Sequence, residues 1–349
     1  MEKKQKSSVK KLFLTLAIIG IVFILTGGTV FTVALANNDW NFSNLDTEEL
    51  SATYFLDTEN RTFDRIEFRG NWRYVIRMGN EFRVDYYLSS VREITTSQTK
   101  NSNGNYTFVF YEGREQWWQN ISFGFNGIQR REKTIYITVT QSITAYFRGA
   151  SSRVTADGVD FINFNMQGSS SRLDLRNSAV GNNITITGAS TNVYLRDVEV
   201  GGHIIVDGSS VRLEVSNIKA GRLETSGAST RFFINYSIID TIVSSGSSSL
   251  VELFRSEIRH INITGASVSV QARAAHLQSL RVDGSSFRGT LELYGVQENI
   301  RPPNITGSNR RVNITGYSGA GVGFIEFDIS GASTRLDIRM LGGNNVFMP

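Results

Sequence analysis

The chain has no cysteine and only three prolines in 349 residues. Without cysteine there is no disulfide framework and no thiolate-bound metal, so stability outside a reducing compartment must come from packing. The scarcity of proline excludes a proline-rich stalk. An excess of charge is missing too, once the start of the chain is set aside. Residues 1–36 carry Lys3, Lys4, Lys6, Lys10 and Lys11 against Glu2, and their +4 equals the formal net charge of the whole chain. Everything after Ala36 is formally neutral, which leaves no basic field for nucleic acid. With only three histidines, ligands for zinc are short as well. His203 and His260 share a column of the repeat described below but lie three coils apart, roughly 14 Å, and His276 belongs to another column. No phosphate-binding glycine loop of the G-x-x-x-x-G-K-[ST] kind occurs. These absences predict no metal, no cofactor and no nucleic-acid partner.

What is present begins with a hydrophobic run. Leu12 to Ala36 is 25 residues without a charge, long enough to cross a bilayer as a helix. The lysines before it place the N-terminus in the cytoplasm and the remainder outside. Ala34-Leu35-Ala36 also has the form of a signal-peptidase site, so cleavage is the rival reading. The length of the run favours an uncleaved anchor.

Glycine is abundant, with 32 residues, and ten of them recur in one context. With each as position zero, Gly149, Gly168, Gly188, Gly208, Gly227, Gly246, Gly265, Gly284, Gly307 and Gly331 follow at steps of 19, 20, 20, 19, 19, 19, 19, 23 and 24. Position +1 is always Ala or Ser, and +2 is Ser everywhere except Asn309. Residues at −4 and −2 are mostly apolar (Ile184 and Ile186, Ile261 and Ile263), as are those at +5 and +7 (Leu213 and Val215, Phe232 and Ile234). Period-two alternation predicts short strands with one buried face. One such unit cannot bury that face alone, whereas stacked copies make a continuous core. The predicted fold is all-β: a single-stranded, right-handed parallel β-solenoid of about 19–20 residues per coil, on the order of 50 Å long for ten coils. The glycines are expected to supply the backbone freedom of a sharp corner, and the small residues after them to stack from coil to coil.

The predicted organisation is a cytoplasmic tail (1–11), a transmembrane helix (12–36), a polar juxtamembrane connector (37–61), a first coil and cap (62–141) and the repeats (142–349). Ile66, Phe68 and Val75 place the first coil around Gly70. The strand-like segments between Gly70 and Gly149 predict an antiparallel meander that caps the stack, since an open end would leave strand backbone unpaired. Toward the C-terminus the coils lengthen and take in Pro302-Pro303 and the glycine-rich residues 316–323.

A lysine-rich start, one apolar span, Trp40, Phe42, Ser43 and Leu45 in the connector, a β cap and coils around a Gly/Ser turn together resemble a bacterial family. It is the putative-adhesin family of β-strand-repeat cell-envelope proteins, a domain of unknown function. The resemblance covers nearly the whole chain, although the turns here read G-A/S-S where the family commonly has ST-G-D. It implies an extracytoplasmic, membrane-anchored, non-catalytic β-solenoid and no established ligand.

The acids at +6 are Asp174, Glu214, Glu252 and Asp337, with Tyr194 and Phe233 interrupting them. Glu214 is two coils from Asp174 and from Glu252, about 10 Å, wider than a retaining glycosidase pair requires. Salt bridges along the strands explain these acids better. Nine N-x-[ST] sequons occur, among them Asn183, Asn262 and Asn313, as expected from frequent Asn and Thr. One column is not demanded by folding: position +4 holds Arg153, Arg172, Arg212, Arg231, Arg288, Arg311 and Arg335. Its parity faces it outward, where guanidinium forks suit carboxylates and phosphates. The plainer reading pairs Arg172 with Asp174, Arg212 with Glu214 and Arg335 with Asp337. Candidate partners are a cell-wall polymer, a glycan or another envelope protein, with Trp72, Trp117 and Trp118 as alternative sugar-binding faces. A self-assembling scaffold and a carbohydrate-active β-helix enzyme are the other function classes. An ice-binding face is excluded because Thr185 and Thr187 are not echoed on the next coils.

Overall fold

The computed structural model describes residues 50–55, 63–88, 94–100, 102, 104–112, 134–295, 300–316 and 324–342. The predicted tail, the 12–36 helix, most of the connector, Trp117, Trp118 and residues 317–323 lie outside them. The chain divides into two compact units, Met1–Leu50 with Leu88–Ser90, and Ser51–Tyr87 with Val91–Pro349. The strands described below belong to the second unit. Among the described residues there is no helix, and hence none long and apolar enough to cross a membrane.

The alternation predicted from the sequence is the packing observed. In Ser170–Val180 the inward residues Leu173, Leu175 and Val180 are buried, while Arg172 and Arg176 on the other face are exposed. Each coil pairs in parallel register with the next, so Leu173 lies beside Val193, Val193 beside Leu213, Leu213 beside Phe232 and Phe232 beside Val251. The coil repeat is therefore 19 or 20 residues, as read from the turn spacing. A coil has three straight segments: Ser170–Arg176, Ser178–Val180 and Ile184–Thr187 lie on Ser190–Arg196, Val198–Val200 and Ile204–Asp207. Full burial of each aliphatic side chain is worth about 1.5–3 kcal/mol. Because every coil contributes several to one core, neighbouring coils stabilise each other.

The two corners that flank the first segment are built differently. At the glycine corner, a Cβ on any of the ten turn glycines would stand 1.7–2.4 Å from the carbonyl oxygen of the turn glycine one coil away. No side chain fits there. Of these ten, only Gly227 and Gly307 have a positive φ, so close approach of backbone to backbone, rather than left-handed conformation, fixes most of them. Small hydroxyl residues at +3 turn inward just past this corner. Ser171 and Thr191 are buried, and farther along Thr230, Ser244 and Ser249 bond to one another at 2.9–3.0 Å.

The second corner, at +9, demands left-handed backbone. Gly158 (φ 64°), Asn177 (47°), Asp197 (54°), Asn217 (53°), Tyr236 (50°), Arg255 (46°) and Ala274 (50°) occupy it in successive coils. Asn and Asp tolerate this region best among residues with a Cβ. Here they also bond along the stack, Asn177 donating to Asp157 (2.8 Å) and Asn217 to Asp197 (2.6 Å). Serine hydroxyls just beyond accept the backbone N–H of the neighbouring coil, as Ser237 does from Ile218 (3.2 Å).

At both ends the order of coils in space departs from the order in sequence. The Gly70 coil (Phe63–Arg69 and Arg73–Met78) lies directly on the Gly149 coil, by parallel pairing with Ile143–Arg148 and Ser151–Asp157. Tyr106–Glu112 and Thr134–Val139 then pair in parallel with the opposite edge of the Gly70 coil. The region between Gly70 and Gly149 is thus not the antiparallel meander predicted. It supplies a further parallel coil, and among the described residues antiparallel pairing is seen in its outer strands, Ile94–Lys100 on Tyr106–Glu112 and residues 83–86 on Thr134–Val139. At the far end the Gly331 coil lies between those of Gly284 and Gly307. The +1 residues alternate Ala and Ser from Ala150 to Ser285, and sequence order breaks the pattern with Ser308 before Ala332. Spatial order restores it.

The Gly70 coil brings one more correction. Arg73 pairs with Arg153, so this corner is one residue shorter than the others. Tyr74 and Ile76 point inward instead of Val75, which is half-buried.

Candidate functional site

Outward parity and exact stacking set the arginines in line. In spatial order the column runs Arg73, Arg153, Arg172, Asn192, Arg212, Arg231, Leu250, Ser269, Arg288, Arg335 and Arg311. All seven arginines predicted from the sequence are exposed. Arg73 was missed because its corner is one residue short, and only the pairing register reveals it. Asn192, and then Leu250 with Ser269, divide the column into three runs. Adjacent coils stand about 4.8 Å apart, so the guanidiniums within a run repeat at about that interval.

Their partners differ from the predicted scheme in one case. Arg212 Nε donates to Glu214 at 2.5 Å and Arg335 Nε to Asp337 at 2.9 Å, as expected. The hydrogen bond to Glu214 holds the Arg212 proton more tightly than usual. Asp174, however, is held by Arg176 on both oxygens (2.8 and 2.9 Å). Arg172 lies instead over the ring of Tyr194 on the next coil, 4.6 Å from its centroid, and Arg212 likewise over Phe233 at 4.8 Å. The aromatic residues that interrupt the acidic column are therefore platforms for arginine. Arg231, Arg288 and Arg311 make no ion pair among the described residues.

The column opens into a groove at the Gly70 end. A polar depression of about 370 Å³ is lined by Arg73, Arg153, Arg172 and Asn192 together with the turn serines. Its floor is fixed by local bonds: the Ser151 N–H donates to Asn71 (3.0 Å), and the Ser152 hydroxyl to the Gly70 carbonyl (3.2 Å). Trp72 belongs to the same wall, but at 5% exposure it offers no open face for a sugar ring. Arg73, Arg153 and Arg172, from three consecutive coils, thus line one polar groove. The carboxylates at +6 are spread along the strand face, three of the four engaged by arginine, so no pair of free acids converges there.

No family model and no curated protein matches the chain. Among solved structures it is similar to a putative cell adhesion protein from Clostridium sporogenes (9% identity, 69% of this chain and 99% of that one, TM-score 0.26). It is similar also to a putative adhesin from Bacteroides fragilis (10% identity, 70% of this chain and 96% of that one, TM-score 0.28).

Proposed function

We propose that this chain is a non-catalytic cell-envelope protein, anchored by residues 12–36, that presents a right-handed β-solenoid outside the membrane to grip an anionic polymer of the envelope. The observation that carries the reading is the in-register arginine column and its groove at Arg73, Arg153 and Arg172. Folding does not require arginine on this exposed face, since Leu250 and Ser269 occupy the same column in two coils. The polymer is held by bidentate contacts to spaced carboxylates or phosphates, as in a teichoic acid.

The test is retention of the full chain, in detergent micelles, on immobilised teichoic acid. Binding weakens steeply with salt, because exposed charges are screened over about 8 Å at physiological ionic strength. Replacing Arg172, Arg212 and Arg231 together with Gln abolishes retention while the circular-dichroism spectrum stays that of a β-sheet. Lysine at the three sites restores part of it, keeping charge without the planar fork. Undiminished retention of the Gln variant would overturn the reading. The topology is tested by protease treatment of intact cells, which removes the solenoid and leaves a short membrane stub. A mature protein that starts at Asn37 would overturn the anchor.

A further inference from the structure

The left-handed corner changes character half-way along the stack. Its first four coils carry Gly158, Asn177, Asp197 and Asn217, the residues that this backbone favours. The next three carry Tyr236, Arg255 and Ala274 in the same conformation. A tyrosine and an arginine are held in a disfavoured region where asparagine would serve, and backbone strain of this kind collects at binding sites.

Their side chains are not used to build the core. Tyr236 is 43% exposed and meets the half-buried Phe254 of the next coil edge-to-face, with ring centroids 5.4 Å apart. The Arg255 guanidinium stands 5.4 Å from the centre of the Phe254 ring. On the following coil, exposed Arg273 lies beside Phe254 in register. Neither Arg255 nor Arg273 has an ion pair among the described residues. On the next two coils a separate ring pair, His276 stacked on Tyr294 at 4.9 Å, lies past the corner and out of register with Phe254.

We infer that this corner is a saccharide site for chains of acidic sugars, separate from the arginine column. Exposed aromatic rings take the apolar face of a pyranose ring, and guanidinium forks beside them match a sugar carboxylate. Tyr236 and Phe254 on consecutive coils, about 4.8 Å apart along the stack, with Arg255 and Arg273 beside them, give an aromatic platform and two cations for a sugar carboxylate. A nucleic acid is disfavoured by the neutral charge of the chain beyond residue 36. A protein partner would need a far larger apolar patch.

The experiment titrates the full chain in detergent with oligogalacturonate, with its methyl ester as the uncharged control, alongside denaturation of each variant. Wild type binds the acid form and binds the ester weakly. Tyr236→Asn and Arg255→Asn each weaken binding by about tenfold or more, while the denaturation midpoint stays or rises, because asparagine suits the left-handed corner. A merely structural corner predicts the opposite pattern: lower midpoints and no binding to lose. Absence of binding by wild type, or lowered midpoints in both variants, overturns the inference. If binding survives both substitutions but is lost when Arg172, Arg212 and Arg231 become Gln, the acid sugar sits on the arginine column and this site is refuted alone. Loss of teichoic acid retention with intact oligogalacturonate binding separates the two sites in the other direction.

Discussion

The two corners of the coil impose different demands, and the difference decides how much freedom each leaves. At the glycine corner, backbone meets backbone of the neighbouring coil, and a single Cβ has no room. At the +9 corner only a dihedral angle is prescribed, and residues from glycine to tyrosine satisfy it. A steric veto fixes residue identity; a torsional preference only weights it. The first corner is therefore uniform over ten positions, and the second is where the surface varies.

The largest expected effect is at the steric corner. Gly246→Ala puts a Cβ 1.9 Å from the Gly227 carbonyl oxygen, and the neighbour is backbone that cannot step aside. Chemical denaturation should show a loss above about 4 kcal/mol. A loss below that of the core variant that follows would mean the coils can spread apart. Leu213→Ala, wholly buried between Val193 and Phe232, should lose roughly 2–5 kcal/mol. A cost near zero would show that the strand faces are inverted.

The glycine corner also has a pH signature. The buried Tyr74 hydroxyl donates to the Gly70 carbonyl at 3.1 Å, and burial raises its pKa well above the ordinary range. The folded pKa lies above the unfolded one, so this contribution is complete below pH ~10 and is lost as pH rises toward the folded value. Stability should fall by up to about 1.4 kcal/mol per pH unit in that window. Tyr74→Phe should remove this part of the alkaline slope, and equal slopes in the two proteins would contradict it.

Smaller effects belong to the torsional corner and to the open face. Asn217→Tyr, which copies the next coil's residue into the polar half, should cost about 1–2 kcal/mol and also break the bond to Asp197. No change would mean that the corner exerts no preference. Arg212→Ala should cost under about 1 kcal/mol despite its bond to Glu214, because exposed pairs contribute little.

Much of this was legible in the residues. Alternation around each glycine specified strands, faces and coil length, because those properties arise within one coil and its nearest copies. The outward arginines followed from the same parity. The left-handed corner left a trace in Asn177, Asp197 and Asn217, nine residues after their glycines, yet Tyr236 and Arg255 mask it. The pairing of Asp174 with Arg176 rather than Arg172 was not legible, since both arginines flank it at the same spacing.

What the sequence determined by itself is the repeating unit: its period, its buried face and the glycine that every coil requires. Tertiary structure alone decided which coil lies on which. The Gly331 and Gly307 coils present the same alternation around small turns that differ only as Gly-Ala-Ser and Gly-Ser-Asn, so the strands of either could follow Gly284. The choice rests on pairing between segments distant in the chain, as when Ser286–Leu293 takes Ser333–Met340 as its neighbour. The same non-local pairing set the Gly70 coil on Gly149 and drew Arg73 into the column. No short-range pattern encodes such contacts, because they are made only when the coils stack.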